Sequence, residues 1–153
     1  MRYVGVDFGK RRIGLAVSDD SAVLARPWET MTAGPTPSSS AERVSRRLAA
    51  FAGEDPDVIL GGIIVGLPRK LNGQDTDLTA PTREFAERLE VLTRLRVHLQ
   101  DERLTSHEAE QRLSAHERDW RVRKQKIDAV AAAIILQDFL DQPRPMADPQ
   151  PEP

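Results

Sequence analysis

The sequence contains no cysteine. That absence excludes disulfides, zinc–thiolate sites, iron–sulfur clusters and a thiol nucleophile, and nothing hints at an oxidising compartment. No apolar run approaches the roughly 20 residues needed to span a bilayer. The opening, MRYVGVDFGKRR, is a short apolar stretch with an Asp inside it, so no signal peptide is expected and a cytoplasmic protein off the membrane is the default. An excess of one charge is also lacking: 22 Lys+Arg stand against 24 Asp+Glu, so net charge says nothing about nucleic acid. What is present, 153 residues of which 39% are hydrophobic, suffices for one domain that buries roughly 70% of the surface its unfolded chain exposes.

Pro143 to Pro153 hold five of the eleven prolines and only Met146 and Ala147 as apolar side chains, too little to offset ordering entropy. Residues 142–153 are therefore expected to be a disordered Pro-rich tail behind a domain of residues 1–141. Within that domain, Tyr3-Val4-Gly5-Val6 and Ile13 to Ser18 read as two strands of a hairpin, with a third short strand at Ala22 to Leu24. Met31 to Ser40 reads as loop. Ser39 with Glu42 forms a capping-box signature, and Val44, Leu48 and Phe51 recur at helical spacing until Gly53. The continuous apolar run Val58 to Val65 predicts a strand covered on both faces. A second helix carries Phe85, Leu89 and Leu92, a strand spans Arg96 to Gln100, and Thr105 with Glu108 opens a polar helix towards His116. Ile127 to Leu140 is apolar nearly all round, which marks a buried helix. The order implies an α/β fold, a mixed sheet with an antiparallel hairpin start flanked by helices.

Three acidic residues fall at the ends of apolar elements rather than on solvated faces: Asp7, Glu102 and Asp128. Each has a plain alternative. Asp7 before Gly9 suits an Asx-turn, Glu102 suits a salt bridge with Arg103, and Asp128, in the first turn of the last helix, suits a helix-dipole interaction. The dipole does not explain why Asp128 lies in line with Ala131, Ala132, Ile135 and Phe139. If strands one and four are neighbours and the last helix packs across them, the three carboxylates converge, and converging anions need cations or protons. An oxygen-only cluster favours Mg²⁺ or Mn²⁺ over Zn²⁺, and Mg²⁺ held by few carboxylates keeps positions for water and phosphate.

Basic residues flank two of the three acids. Lys10, Arg11 and Arg12 follow Asp7, while Arg118, Arg121, Arg123, Lys124 and Lys126 lead into Asp128. Such clusters build either a phosphate-tracking surface or merely a solvated face. Trp120 is available to stack on an unpaired base or to anchor packing. His98, His107 and His116 recur every nine residues, a period that aligns no helical face, and carry no assigned chemistry. There is no P-loop, no G-x-G-x-x-G and no G-x-S-x-G.

Val4-Gly5-Val6-Asp7-Phe8-Gly9, followed by Arg12-Ile13-Gly14-Leu15-Ala16-Val17-Ser18-Asp19, resembles the opening of the YqgF/RuvX proteins. Val65-Gly66-Leu67-Pro68 with Asn72-Gly73, Asp101 to Ser106, and Lys126 to Ala132 with Ile134-Ile135-Leu136-Gln137 resemble that family's other signatures. The resemblance covers about residues 1–141. It implies a ribonuclease-H-like fold related to Holliday-junction resolvases and a cytoplasmic, metal-dependent nuclease that processes the 5′ end of the small-subunit ribosomal RNA precursor. Carried over motif by motif, Asp7, Glu102 and Asp128 become the catalytic carboxylates that hold the metal. The loop at 31–40, Gly61-Gly62 and the tail depart from the family's pattern without touching a motif.

The mechanism expected on this basis uses two Mg²⁺ or Mn²⁺ ions to activate water and stabilise the leaving 3′ oxygen. Asp7 bridges both ions, Glu102 and Asp128 hold one each, and the product carries a 5′ phosphate. Lys10, Arg11, Arg12, Arg103, Arg121, Arg123, Lys124 and Lys126 are the candidate nucleic-acid contacts, with Arg103 expected to neutralise charge on the scissile phosphate and Lys126 either to orient Asp128 or to contact the backbone. Rival readings are a resolvase of branched DNA, an actin-like ATPase or sugar kinase, and a non-catalytic module for ribosomal or transcription partners. The length does not decide monomer against homodimer.

Overall fold

A computed structural model describes residues 1–101 and 120–143, with side chains described over 1–101 and 127–143. Five strands, β1 (Arg2–Phe8), β2 (Arg12–Ser18), β3 (Ala25–Thr32), β4 (Leu60–Leu67) and β5 (Val97–Asp101), form one mixed sheet in the order β3-β2-β1-β4-β5. The first three make an antiparallel meander, whereas β4 and β5 run parallel to β1. Helices α1 (Pro37–Glu54) and α2 (Thr79–Thr93) pack side by side on one face. Helix α3 (Trp120–Asp141) covers the other.

The period-2 alternation of the strands decides which residue meets which layer. Val4, Val6 and Phe8 of β1, Ile13 and Leu15 of β2, and Ile63 and Val65 of β4 are buried against Ala41, Val44 and Leu48 of α1 and Phe85, Ala86 and Leu89 of α2. Ala16 and Ile64 point the other way and are buried against Ala132, Ala133, Ile135 and Leu136 of α3. Because β4 lies inside the sheet and is covered on both sides, its apolar run is continuous. The hairpin start, the neighbouring of β1 and β4, and the buried last helix agree with the sequence reading.

Three boundaries differ from it. The third strand is Ala25–Thr32 rather than Ala22 to Leu24, and it absorbs the start of the stretch read as loop. Arg26-Pro27 looks unlike a strand, but β3 is an edge, where the missing N–H of proline is tolerated. The ladder register shifts between Leu15 and Ala16, opposite Glu29 and Pro27. Trp28 then packs on the Phe51 ring at 4.7 Å and beneath the Arg47 guanidinium at 4.5 Å. Helix α1 begins one turn earlier than expected. Its N-cap is Thr36, whose Oγ1 accepts from the Ser39 N–H at 3.0 Å while Ser39 Oγ accepts from the Thr36 N–H at 3.0 Å, and Pro37 occupies N1 where no N–H is needed. Strand β4 starts at Leu60 rather than Val58, because Asp55 first turns the chain: its side chain accepts from the Asp57 N–H at 2.9 Å and its carbonyl from the Val58 N–H at 3.1 Å. The polar helix expected from Thr105 to His116 lies outside the described residues, as does the tail from residue 144 onwards.

Candidate metal and nucleic-acid site

Asp7 lies one residue before the end of β1, and its ladder partner in β2 is Gly14. Cross-strand partners point to the same face and have Cα atoms about 4.5–5.5 Å apart. On that face a Cβ built on Gly14 would lie 1.9 Å from the Asp128 carbonyl oxygen and 2.9 Å from the Ala129 nitrogen. The backbone of α3 thus rests on the one point of β2 that has no side chain, directly beside Asp7. A second such contact lies one turn along α3, where a Cβ on Gly5 would meet the Ala132 carbonyl oxygen at 2.6 Å. Two glycines seat the helix, and the seat brings Asp128 to the Asp7 end of the sheet.

On the opposite side Asp7 is level with Gly66 of β4, one step beyond the Val6–Val65 pair, and Gly66 pairs with Gln100 of β5. Asp7 therefore stands in a row with glycine on both flanks, at the end of the sheet where β1, β4 and β5 all terminate. Ligand sites of α/β sheets gather at such carboxyl ends. Phe8, pointing to the other face, stacks on Phe85 at 4.6 Å and fixes the strand end.

Asp128 has an uncommon partner. Arg12 Nε lies 2.8 Å from Asp128 Oδ2, with the Arg12 side chain 54% exposed and that of Asp128 23% exposed. Oδ2 itself is buried and accepts no hydrogen bond. The two observations are compatible, since the pair is close enough for charge attraction while the Nε–H is not directed at the oxygen. An ion pair this open contributes only about 0–1 kcal/mol, and a buried oxygen without a donor costs about 1–3 kcal/mol. A hard divalent cation taking the place of the Arg12 guanidinium would satisfy that oxygen, so the oxygen donors fit Mg²⁺ or Mn²⁺.

The turn between β1 and β2 exposes Lys10, Arg11 and Arg12 beside Asp7. It is tight: a Cβ on Gly9 would lie 2.6 Å from the Arg12 carbonyl oxygen. The Ala33 N–H donates to the Arg11 carbonyl at 2.9 Å and ties the turn to the end of β3. Arg121, Arg123, Lys124 and Lys126 belong to α3 ahead of Asp128, with their side chains outside the described residues. The side chain of Trp120 is likewise outside them. Glu102 and Arg103 lie outside the described residues, Glu102 following Asp101, the last residue of β5. Among the described residues no group of three His, Cys, Asp or Glu side chains is gathered in metal-binding array. His98 packs against the Phe139 ring at 5.1 Å.

One alternative reading loses its basis. Helix α3 is helical from Trp120, the first described residue on that side, so Asp128 lies at least two turns inside it and beyond the first turn to which a helix-dipole effect is confined. Two features escaped the sequence reading. Gly14, inside a strand, signalled a close backbone approach, and Arg12, grouped with the phosphate-facing cations, turned out to pair with Asp128.

A family model described as "RuvX: Holliday junction resolvase" matches residues 1–142. The chain belongs to the RuvX family. This RuvX protein is 38% identical over 144 residues to a protein of Maridesulfovibrio salexigens named "Putative pre-16S rRNA nuclease", spanning 92% of this chain and 98% of that one. A protein of Pelotomaculum thermopropionicum with the same name is also 38% identical, over 95% of this chain and 90% of its own length. Among solved structures, Thermus thermophilus RuvC in complex with a Holliday junction substrate superposes with a TM-score of 0.50 at 18% identity, covering 92% of this chain and 94% of that chain. That likeness makes the fold of this RuvX protein ribonuclease-H-like. Among its described residues no helix is long and apolar enough to cross a membrane.

Proposed function

We propose that this RuvX protein is a divalent-metal-dependent nuclease that hydrolyses phosphodiester bonds in the cytoplasm and processes the 5′ end of the small-subunit ribosomal RNA precursor, with residues 1–141 as the catalytic domain. The observation that carries the chemistry is the placement of Asp7 and Asp128 on either side of Gly14, with one Asp128 oxygen buried and lacking a hydrogen bond. The names of the relatives support the choice of substrate.

Asp7 and Asp128, with Glu102, would hold two Mg²⁺ or Mn²⁺ ions. Such ions, when bound, lower the pKa of a bound water and stabilise charge on the leaving oxygen. The protein's own contribution is to fix the carboxylates on rigid elements and to bind the substrate backbone. Lys10 and Arg11, exposed on the hairpin turn, hold phosphates next to Asp7. Arg103, Arg121, Arg123, Lys124 and Lys126 are the further basic residues proposed to contact the nucleic acid. Monomer and homodimer are both compatible with this scheme.

A second reading, resolution of branched DNA, is favoured by the shared fold with RuvC. Incubating the protein with precursor ribosomal RNA and with a four-way DNA junction, each with Mn²⁺, Mg²⁺ or EDTA and alongside an Asp7→Ala control, separates the two. Metal-dependent cutting of RNA that disappears in the control is the expected result. Cutting of the junction alone would transfer the site to the resolvase reading, and cutting of neither would leave a binding module.

A further inference from the structure

The Arg12–Asp128 contact is poorly suited to holding the fold together. The guanidinium is more than half exposed at the first residue of β2, its Nε–H is not aimed at the oxygen 2.8 Å away, and that oxygen is otherwise without a donor. A pair selected for stability would present the planar fork of arginine to both carboxylate oxygens.

We propose that Arg12 is a built-in counter-cation for Asp128, which occupies the carboxylate while no divalent ion is present and competes with that ion for it. The inference rests on reading Asp7, Glu102 and Asp128 as the ion-holding set. Three observations favour it. Arg12 and Gly14 are two residues apart on β2 and so share the face on which α3 lies, which puts the guanidinium at the same Asp128 whose backbone contacts Gly14. The backbone of Asp128 is held by that seat, so its side chain stays within reach of Arg12 at the start of β2. The arginine is exposed and attached at a strand end, so it can withdraw without disturbing the core. A divalent ion brings twice the charge and needs no directed N–H, so it displaces the guanidinium, which then rejoins Lys10 and Arg11 on the exposed turn.

The test is Mn²⁺ binding to the full-length protein, without nucleic acid, followed by electron paramagnetic resonance of the free ion. Parent, Arg12→Gln, Arg12→Lys and Asp128→Asn proteins are compared, with thermal melting to confirm that each is folded. Removing the competitor should tighten Mn²⁺ binding about twofold to fivefold in Arg12→Gln. Arg12→Lys, which keeps the charge, should stay near the parent, and Asp128→Asn should bind at least about tenfold more weakly. Folded Arg12→Gln that binds Mn²⁺ no more tightly than a parent that does bind it overturns the role of Arg12 alone. A parent that binds no Mn²⁺ overturns the metal reading of the site, and the role of Arg12 with it.

Discussion

Asp7 and Gly14 face each other across the β1–β2 ladder, and the space that Gly14 leaves open is filled by the backbone of Asp128. One missing side chain thus lets the backbone of Asp128 lie beside Asp7. The Gly14→Ala protein should be destabilised by about 2–3 kcal/mol or more, because helix backbone cannot yield as a flexible side chain would. Urea unfolding measures this, and an unchanged midpoint would mean that α3 does not rest where described.

Asp7→Ala should lose at least about 100-fold in single-turnover cleavage of precursor RNA while RNA affinity changes little, since the residue serves chemistry rather than backbone binding. Fluorescence anisotropy on the same RNA gives the affinity. Cleavage at the parental rate would remove Asp7 from the mechanism.

Lys10→Glu combined with Arg11→Glu should weaken RNA binding and flatten its dependence on salt, by roughly 0.7 in log–log slope for each single-strand phosphate that is no longer neutralised. Both side chains are exposed at the hairpin turn, so melting temperature should hardly move.

Trp28→Ala should cost about 1–3 kcal/mol, because the indole packs on Phe51 and under Arg47 at the partly buried edge, and leave Mn²⁺ binding unaltered. Denaturant titration and metal binding measured together would reveal any coupling between that edge and the site.

The turn after β2 predicts a pH effect. Asp19 is held below its usual value of 3.8 chiefly by the backbone N–H groups of Val23 and Leu24 donating to its carboxylate. A group whose pKa is lowered on folding adds stability above its unfolded pKa and loses it as the pH falls through the folded value. Below about pH 4, therefore, the parent should lose melting temperature more steeply than Asp19→Asn does.

The sequence revealed most where burial is two-sided. The part of the run from Gly62 to Val65 and the apolar block in α3 are interior, as an apolar stretch with no polar face requires, whereas Ile59 at the start of the run is 61% exposed ahead of β4. It misled at the edge: Arg26-Pro27 hid a strand whose stability comes from Trp28 reaching across to Phe51 and Arg47, a tertiary contact with no local signature. It misled again at α1, where two overlapping caps compete and the earlier one, with proline at N1, prevails. Asp7 and Asp128 drew attention as acids in apolar company, yet the residue that joins them is a glycine. Glycine carries no chemistry to notice.

At Gly5 and Gly14 the backbone of α3 meets bare main chain, at two points one helical turn apart, while Ala16 and Ile64 pack on it between side chains. A helix carried on interdigitated side chains shifts whenever those side chains are exchanged. A helix carried on bare backbone keeps its height above the sheet while the residues around it drift. The height of the Asp128 backbone above β2 is thus set at Gly14 by main chain, and a side chain added there would lift the carboxylate away from the Asp7 end of the sheet.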